Sequence, residues 1–356
     1  MPEMARRSEQ AVCECWFLDV GQGTSNVILL GEGKAIVIDC GPRGSQQTMQ
    51  LLTRQYIDTL EAVIISHNDN DHDGNVSRVL SQYRRAVRRV LFLQDRAVTN
   101  EMPKTFGVLR CAADGDFPDP ERLETKAAKP QVLFSQNGIV LSVLYPNLMQ
   151  NLDAQGAGIP NQTSAVLLLS CAERRVVFSG DATIEAWDWL TVRFPENKPL
   201  ACDIMTIPHH GGAISRSEAT EAVSQHHLYT DLIRPTYGVV SVATVNPHDH
   251  PNIVTIKALR DAGVTVLCTQ MTSKCSNDLE AIRSSRGTIP APSRSVEEPD
   301  YTGSHRSRHV ACFGSVVAEI SKSELRIRNL KRHQQNMLTF SALGYFGPLC
   351  SPAGEA

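Results

Sequence analysis

With 356 residues, 42% of them hydrophobic and 21% charged, the chain has an ordinary globular composition, which excludes the disordered, collagen-like and coiled-coil classes. Its 35 basic and 38 acidic side chains leave a formal charge of −3, which argues against sequence-blind coating of nucleic acid but permits a local basic patch. No apolar run approaches the roughly 18 residues of a membrane span, residues 1–10 carry arginines but lead into no signal-peptide core, and ten cysteines are too scattered for a secreted disulfide scaffold; the expectation is a cytoplasmic chain with reduced thiols.

Apolar, β-branched runs at residues 15–20, 26–30 and 35–39 predict an opening meander joined by Gly-rich turns. Further strands are predicted at 62–66, 90–93, 138–145, 164–170, 175–179, 203–207, 237–242 and 265–269. Helical spacing or capping marks 46–56, 75–88, 183–194 and 252–262, the last with Asn252 as N-cap and Gly263 as stop. Such a mixture predicts sheets layered with outer helices and not a pure βαβ repeat. Residues 100–129 and 271–309 read as irregular excursions rich in Pro, Ser, Arg and acidic residues. A strand pair at 314–320 and 325–330 then returns to the sheet. The expected organisation is one domain over 1–356, with an irregular insertion at 271–310 before that last pair.

The chemistry concentrates where predicted strands end. After Ile64-Ile65 comes Ser66-His67-Asn68-Asp69-Asn70-Asp71-His72-Asp73-Gly74, too dense in imidazole and carboxylate for an ordinary Asx turn. These donors suit Zn2+, Mn2+ or Fe2+. In a tight turn, side chains two apart can meet at one ion, so His67 with Asp69, and Asp71 with His72, can serve two neighbouring cations. A second strand ends in Gly180-Asp181, and Asp181 is a candidate bridge between two ions; read alone, it is equally a helix cap. The third and fourth loops are Pro208-His209-His210-Gly211-Gly212 and Asn246-Pro247-His248-Asp249-His250-Pro251. Six of the eleven histidines lie in just three loops. His226 and His227 sit on a polar stretch and read as solvated surface.

The set His67-x-Asp69-x-Asp71-His72, Gly180-Asp181 and Pro208-His209-His210-Gly211 resembles the metallo-β-lactamase fold superfamily. Within it, the chain is similar to the soluble hydrolase domain of ComEC-type DNA-uptake proteins, a branch with aspartate where most members have the second histidine of the motif, as Asp69 stands here. Phe17-Leu18-Asp19-Val20-Gly21-Gln22-Gly23, Ile38-Asp39-Cys40-Gly41 and Asn161-Gln162-Thr163-Ser164 match the same branch. The likeness runs from about Trp16 to Thr269 and again over 312–330. It implies an α+β fold, an αββα sandwich of two mixed sheets with outer helices, and a binuclear centre at the sheet edges. On that likeness His67 and Asp69 would hold one ion, Asp71 and His72 the other, and Asp181 would bridge them. His209 or His210 would complete a coordination sphere. His250, with His248 as its alternative, would be a late ligand or a donor to the transition state. Asn161 stands where many members carry a metal-binding histidine, and Asp39 would hydrogen-bond within the metal loop. Two departures, His210-Gly211-Gly212-Ala213 without the usual Ser and His248-Asp249-His250-Pro251 in place of Tyr-Gly-His-Pro, keep the ligand count but alter the pocket.

The functional expectation is a hydrolase with two divalent ions, Zn2+ or Mn2+, whose bridging hydroxide attacks a phosphodiester of nucleic acid or a nucleotide. Asp71, His250 and Asn161 are its catalytic candidates, with His250, if protonated, stabilising developing charge. Alternatives are a small ester, lactone, thioester, β-lactam or cyclic nucleotide as substrate, since fold does not choose chemistry, and a non-catalytic metal-bearing partner subunit. Lacking channel helices, the chain reads as a stand-alone relative that works alongside protein partners. Two basic clusters, Arg84-Arg85 with Arg88-Arg89 and Arg326, Arg328, Lys331, Arg332, His333, can steer a polyanion or simply be solvated, the latter on a charged helix face and a charged C-terminal strand. Cys268, Cys275, His305, His309 and Cys312 form a loosely spaced candidate for a structural zinc, weaker than their reading as incidental thiols and histidines.

Overall fold

The computed structural model describes residues 12–93, 117–125, 130–157, 160–194, 200–215, 217–276, 279 and 310–342. The opening meander is antiparallel: β1 (Cys13–Phe17), β2 (Asn26–Gly31) and β3 (Lys34–Ile38). Helix α1 (Gln47–Arg54) then crosses over to β4 (Thr59–Ile65), which runs parallel to β3. A one-turn helix α2 (Asn70–Asp73) and α3 (Val76–Tyr83) lead to β5 (Val90–Phe92) and β6 (Glu121–Arg122), both parallel additions to the same sheet.

The second sheet repeats the plan. Strands β7 (Gln131–Gln136), β8 (Ile139–Tyr145), β9 (Val166–Cys171) and β10 (Arg174–Phe178) are antiparallel neighbours, with α4 (Leu148–Ala157) between β8 and β9. After α5 (Ile184–Arg193), the strands β11 (Ile204–Thr206), β12 (Tyr237–Val240) and β13 (Thr265–Cys268) continue in parallel, separated by α6 (Glu218–His226) and α7 (Ile253–Asp261). Strands β14 (Val316–Ile320) and β15 (Leu325–Ile327) return to the first sheet, β14 pairing antiparallel with β1, and α8 (Leu330–Ala342) follows. The sheet orders are β15-β14-β1-β2-β3-β4-β5-β6 and β13-β12-β11-β10-β9-β8-β7.

Alternation along each strand explains the layering. Ile36, Ile38 and Ile64 face Leu167, Leu169, Val176 and Phe178 between the sheets. Their neighbours Val37, Val63 and Ile65 face outward beneath Leu51 and Leu52 of α1 and Val79 and Leu80 of α3. On the other side Val166, Leu168 and Val177 meet Trp187 and Leu190 of α5 and Leu259 of α7. Both faces of the central strands are therefore buried, and the strands read as continuous apolar runs because a period of two places every second residue in a different core. These are the two mixed sheets with outer helices that were expected.

Several expected elements change. The helix expected over 75–88 stops at Tyr83, because Arg88 N donates to Leu60 O at 2.8 Å and the chain joins β4. Strand β7 and helices α4 and α6 were not legible as such. The strand expected to reach residue 330 ends at Ile327, where Asn329 at φ 63° turns the chain into α8. Arg326 and Arg328 are engaged by Glu319, and Arg328 also by Glu14 at 3.1 Å, so this strand is not an open basic patch. Arg89 is likewise held by Glu121. His226 is exposed and His227 half-buried, as its polar setting predicts. Of the excursion at 271–310 most lies outside the described residues, as do His305 and His309 of the zinc candidate. Its two ends meet, Met271 N donating to Val310 O at 2.8 Å.

His333, placed by sequence in a basic cluster, is instead buried on α8 with its ring centroid 4.7 Å from that of Phe313. Burial pushes its pKa down to about 4. Below about pH 6.5 the unfolded chain therefore binds a proton that the native state rejects, and stability falls as pH drops toward 4. Between pH 7 and pH 5 this is expected to cost about 2 kcal/mol. Urea titrations of the native chain and His333→Gln should show the native chain losing that much more over the interval. Equal losses would show that His333 does not set the slope.

Candidate functional site

Five loops converge at the carboxyl ends of parallel strands, the side of a sheet where open α/β folds place their sites. Asp39 follows β3, the Ser66 to Asp73 segment follows β4, Gly180-Asp181 follows β10, Pro208 to Gly212 follows β11, and Ser241 follows β12. The loop after β4 is tied into the sandwich by its own backbone: Thr24 N donates to Asp71 O at 2.9 Å, Cys40 N to His72 O at 2.7 Å, and Ala165 N to Ser66 O at 2.9 Å. Gly23 is required for this approach. A Cβ there would lie 2.4 Å from Asp71 O, and its φ of +139° disfavours any other residue. Gly23→Ala is expected to displace the Asp71 loop and cost roughly 1–3 kcal/mol, read as a lower urea midpoint than that of the native chain; an unchanged midpoint would show that the loop has room to yield.

His72 lies at the middle of the cluster. Its Nε2 is 3.1 Å from Asp181 Oδ1 and 3.3 Å from His210 Nε2. His210 Nε2 is in turn 3.2 Å from Asp71 Oδ2 and 3.6 Å from Asp181 Oδ1. On the far side of Asp181, His67 Nε2 lies 3.8 Å from Asp181 Oδ2 and 3.4 Å from Asp69 Oδ2. His67, His72, Asp181 and His210 are buried, whereas Asp69 and Asp71 reach toward solvent. Two triads, His67-His72-Asp181 and Asp71-His72-His210, each bring three ligand atoms within 4.8 Å of one another.

This arrangement fits divalent cations. A tetrahedral shell with metal–ligand bonds of about 2.0–2.2 Å sets its donor atoms roughly 3.3–3.6 Å apart, close to the separations here. His67 Nε2 is buried with no hydrogen-bond partner, so its ring nitrogen faces the cluster unsatisfied. Charge tells the same story. Burial opposes protonation of His72, yet the Asp181 and Asp39 carboxylates hold its pKa well above the usual histidine range. Burial likewise opposes ionisation of Asp181, but His72, His210 and His67 hold its pKa well below the carboxylate range. Asp71 is lowered against burial by His210 and His72. The carboxylates are thus ionised and hold positive charge between them, the role a metal ion fills.

The outer contacts fix the ring orientations. Asp39, at φ 59°, accepts from Ser66 N and Ser66 Oγ, both at 2.7 Å, and lies 2.8 Å from His72 Nδ1. Ser241 O lies 3.0 Å from His210 Nδ1, while Ser241 Oγ donates to Gly23 O at 2.7 Å. Ser164 Oγ accepts from Asp181 N at 2.8 Å. Sequence reading gave no role to Ser66, Ser164 or Ser241, because a serine carries no metal-ligand signature; Ser66 and Ser164 stood inside the histidine and asparagine motifs, and Ser241 gave no signal.

His209 and His210 occupy successive left-handed conformations, each at φ 54°, an arrangement that non-glycine residues adopt at a cost of roughly 1–2 kcal/mol each. The paired turn sends the two rings apart. His210 enters the cluster, whereas His209 Nδ1 lies 2.8 Å from Ala213 O and joins neither triad. His250 also lies outside both triads. Its ring centroid is 5.1 Å from His209, 5.5 Å from His248 and 6.3 Å from His210, and Asn246 clamps its loop by accepting from His250 N and donating to His250 O. Burial, together with these three histidines, lowers its pKa to about 4. His250 is therefore neutral near pH 7, so the condition attached to its charge-stabilising role, a protonated ring, is not met there. Asn161 sits in the 3-10 turn Pro160–Thr163, its carbonyl accepting from Ser164 N at 3.2 Å. Its side chain makes no hydrogen bond among the described residues.

Comparison with known proteins agrees with the motif reading. Recombination protein 2 of Haemophilus influenzae is 28% identical over 249 residues, covering 68% of this chain and 26% of that protein. Competence protein ComA of Neisseria gonorrhoeae is 22% identical over 273 residues, covering 76% and 32%. ComE operon protein 3 of Bacillus subtilis is 24% identical over 271 residues, covering 71% and 31%. The chain thus spans between a quarter and a third of the length of these ComEC-type relatives. Among solved structures, the Bacillus subtilis metallo-beta-lactamase fold protein YhfI is 10% identical with a TM-score of 0.44, covering 72% of this chain and 96% of that one. Zn2+-bound PqqB from Methylobacterium extorquens is 9% identical with a TM-score of 0.43, covering 72% and 97%. The family model for the metallo-beta-lactamase superfamily matches residues 19–223, a span that holds every residue of the two triads, and the chain belongs to that superfamily.

Proposed function

We propose that the chain is a metal-dependent hydrolase of phosphodiesters in nucleic acid or nucleotides, working with two divalent ions, Zn2+ or Mn2+. The observation that carries this reading is the sharing of buried His72 by two donor triads, with Asp181 reaching both sides. His67, Asp69 and Asp181 would hold one ion; Asp71, His72, His210 and Asp181 would hold the other. Bound there, divalent ions supply Lewis acidity and lower the pKa of a water from about 15.7 toward 7. Asp71 keeps its carboxylate ionised at the solvent side of the cluster. Neutral His250, whose ring stacks 6.3 Å from that of His210, can hydrogen-bond the oxygen that gains charge without repelling a cation. Asn161, in the turn before Ser164, would add a polar contact to substrate. The names of the relatives, recombination and competence proteins, favour nucleic acid as the substrate class. A cytoplasmic working place and a protein partner belong to the same reading; the eight described cysteines, all free thiols, suit a reducing compartment.

The test is metal analysis of the purified chain beside cleavage of labelled single-stranded DNA, duplex DNA, RNA and bis-p-nitrophenyl phosphate, with Asp71→Ala as control. About two ions per chain and cleavage that disappears in the variant are expected. Metal without any phosphodiester cleavage would transfer the reading to small ester, lactone or thioester substrates, and a chain that takes up no metal would sink it.

A further inference from the structure

The hydrogen bonds around Asp39 carry an inference about Ser66. Both short contacts between Asp39 and Ser66 run toward the carboxylate oxygens: Ser66 N donates to Oδ1 and Ser66 Oγ donates to Oδ2, each at 2.7 Å. The serine hydroxyl has a single proton, and Asp39 has taken it. Ser66 Oγ therefore offers only lone pairs to its two remaining neighbours, His67 Nδ1 at 3.2 Å and His72 Nδ1 at 3.3 Å, the latter already 2.8 Å from Asp39 Oδ2. The contact with His67 is attractive only when His67 carries its proton on Nδ1. The opposite nitrogen, Nε2, is then bare, and it is the nitrogen that is buried, unpartnered and directed at Asp69 and Asp181.

A second hydroxyl sits in the same place. Ser164 Oγ lies 3.3 Å from His67 Nδ1 while accepting from Asp181 N. The room for both oxygens comes from Gly180, where a Cβ would stand 2.3 Å from Ser164 Oγ and 3.1 Å from Ser66 Oγ. Because Ser164 retains a proton of its own, it does not by itself decide the His67 tautomer. Ser66 does.

We propose that Ser66 is a positioning residue that relays Asp39 to His67, so that one buried carboxylate presets two imidazoles for a cation, His72 by direct contact and His67 through the serine hydroxyl. A divalent ion needs a bare ring nitrogen, and the partner of the other nitrogen decides which one is bare. The inference rests on the metal-holding reading of the cluster and not on the choice of substrate.

The decisive measurement is two-bond 1H–15N NMR on the metal-free full chain labelled at histidine, at a pH where His67 is neutral, with His67→Gln identifying the signal. The expected pattern is a protonated Nδ1 and a bare Nε2. Zn2+ affinity, read by chelator competition, should fall about 10- to 100-fold in Ser66→Ala and stay within about threefold of the native value in Ser66→Thr, which restores the hydroxyl. A native His67 protonated at Nε2 would overturn the proposal even if Ser66→Ala failed to fold. So would a folded Ser66→Ala with native tautomer and native Zn2+ affinity. A native chain with no Zn2+ binding at all would overturn the metal centre itself, a result distinct from a chain that binds Zn2+ but cleaves no phosphodiester.

Discussion

Asp181→Asn is expected to strip the cluster of most of its divalent metal and to reduce hydrolysis by about 10³-fold or more. Asp181 is the carboxylate that reaches all three buried imidazoles: His72 at 3.1 Å, His210 at 3.6 Å and His67 at 3.8 Å. A carboxamide is nearly the same size but carries no charge and offers one acceptor oxygen in place of two. Transition-state stabilisation by bound metal is worth several kcal/mol, and each 1.4 kcal/mol is a factor of about ten in rate. The side chain is buried and its backbone N–H is held by Ser164 Oγ, so the fold should survive the exchange. Elemental analysis and steady-state rates on the same preparation test this. Native metal content at native rate in Asp181→Asn would remove Asp181 from the centre, whereas native metal content with the rate lost would limit its role to the reacting groups.

The second large effect is expected at Asp39, which touches no metal position. Asp39→Ala leaves Ser66 N, Ser66 Oγ and His72 Nδ1 without their shared acceptor inside a buried site. Removing one partner of a buried charged pair costs about 3–5 kcal/mol, and loss of a partner that orients a ligand costs about 10- to 100-fold in metal affinity. Asp39→Asn should be milder in stability. Asparagine tolerates the left-handed φ of 59° and still accepts a hydrogen bond, although it no longer carries charge. Urea unfolding of the metal-free chains gives the first quantity and chelator competition the second. If Asp39→Ala were as stable as Asp39→Asn, the buried pair with His72 would not be holding the loop.

Most of the scaffold was legible because the central strands are buried on both faces. The runs at 62–66, 164–170 and 175–179 stand out from their surroundings for that reason, and the structure places β4, β9 and β10 there. Strand β7 was illegible for the opposite reason. It closes one edge of its sheet, most of Gln131–Gln136 is exposed or half-buried, and its three apolar residues, Val132, Leu133 and Phe134, stand together between polar ends with no alternation. The start of helix α8, Lys331 to His333, was grouped with the charged strand before it because charged side chains dominate that first turn, and the rest of the helix was not legible. The buried positions His333 and Met337, four residues apart, are too few to impose a period by eye.

By itself, the sequence determined which residue types are available at the site and where they lie: imidazoles and carboxylates clustered just past the ends of apolar strands, in the order that marks the superfamily. Only the tertiary structure decided which of them meet. His72 is brought to Asp39, 33 positions away, and to His210, 138 positions away, by the packing of two sheets whose parallel strands end on the same rim. The adjacent residues His209 and His210 are chemically identical in sequence. Their consecutive left-handed backbones separate them, placing one ring in the cluster and the other against Ala213. The charge of His250 is decided the same way. Burial and the three neighbouring histidines keep it neutral, because a pKa is set by the dielectric and the charges around a group and not by the residue's own identity.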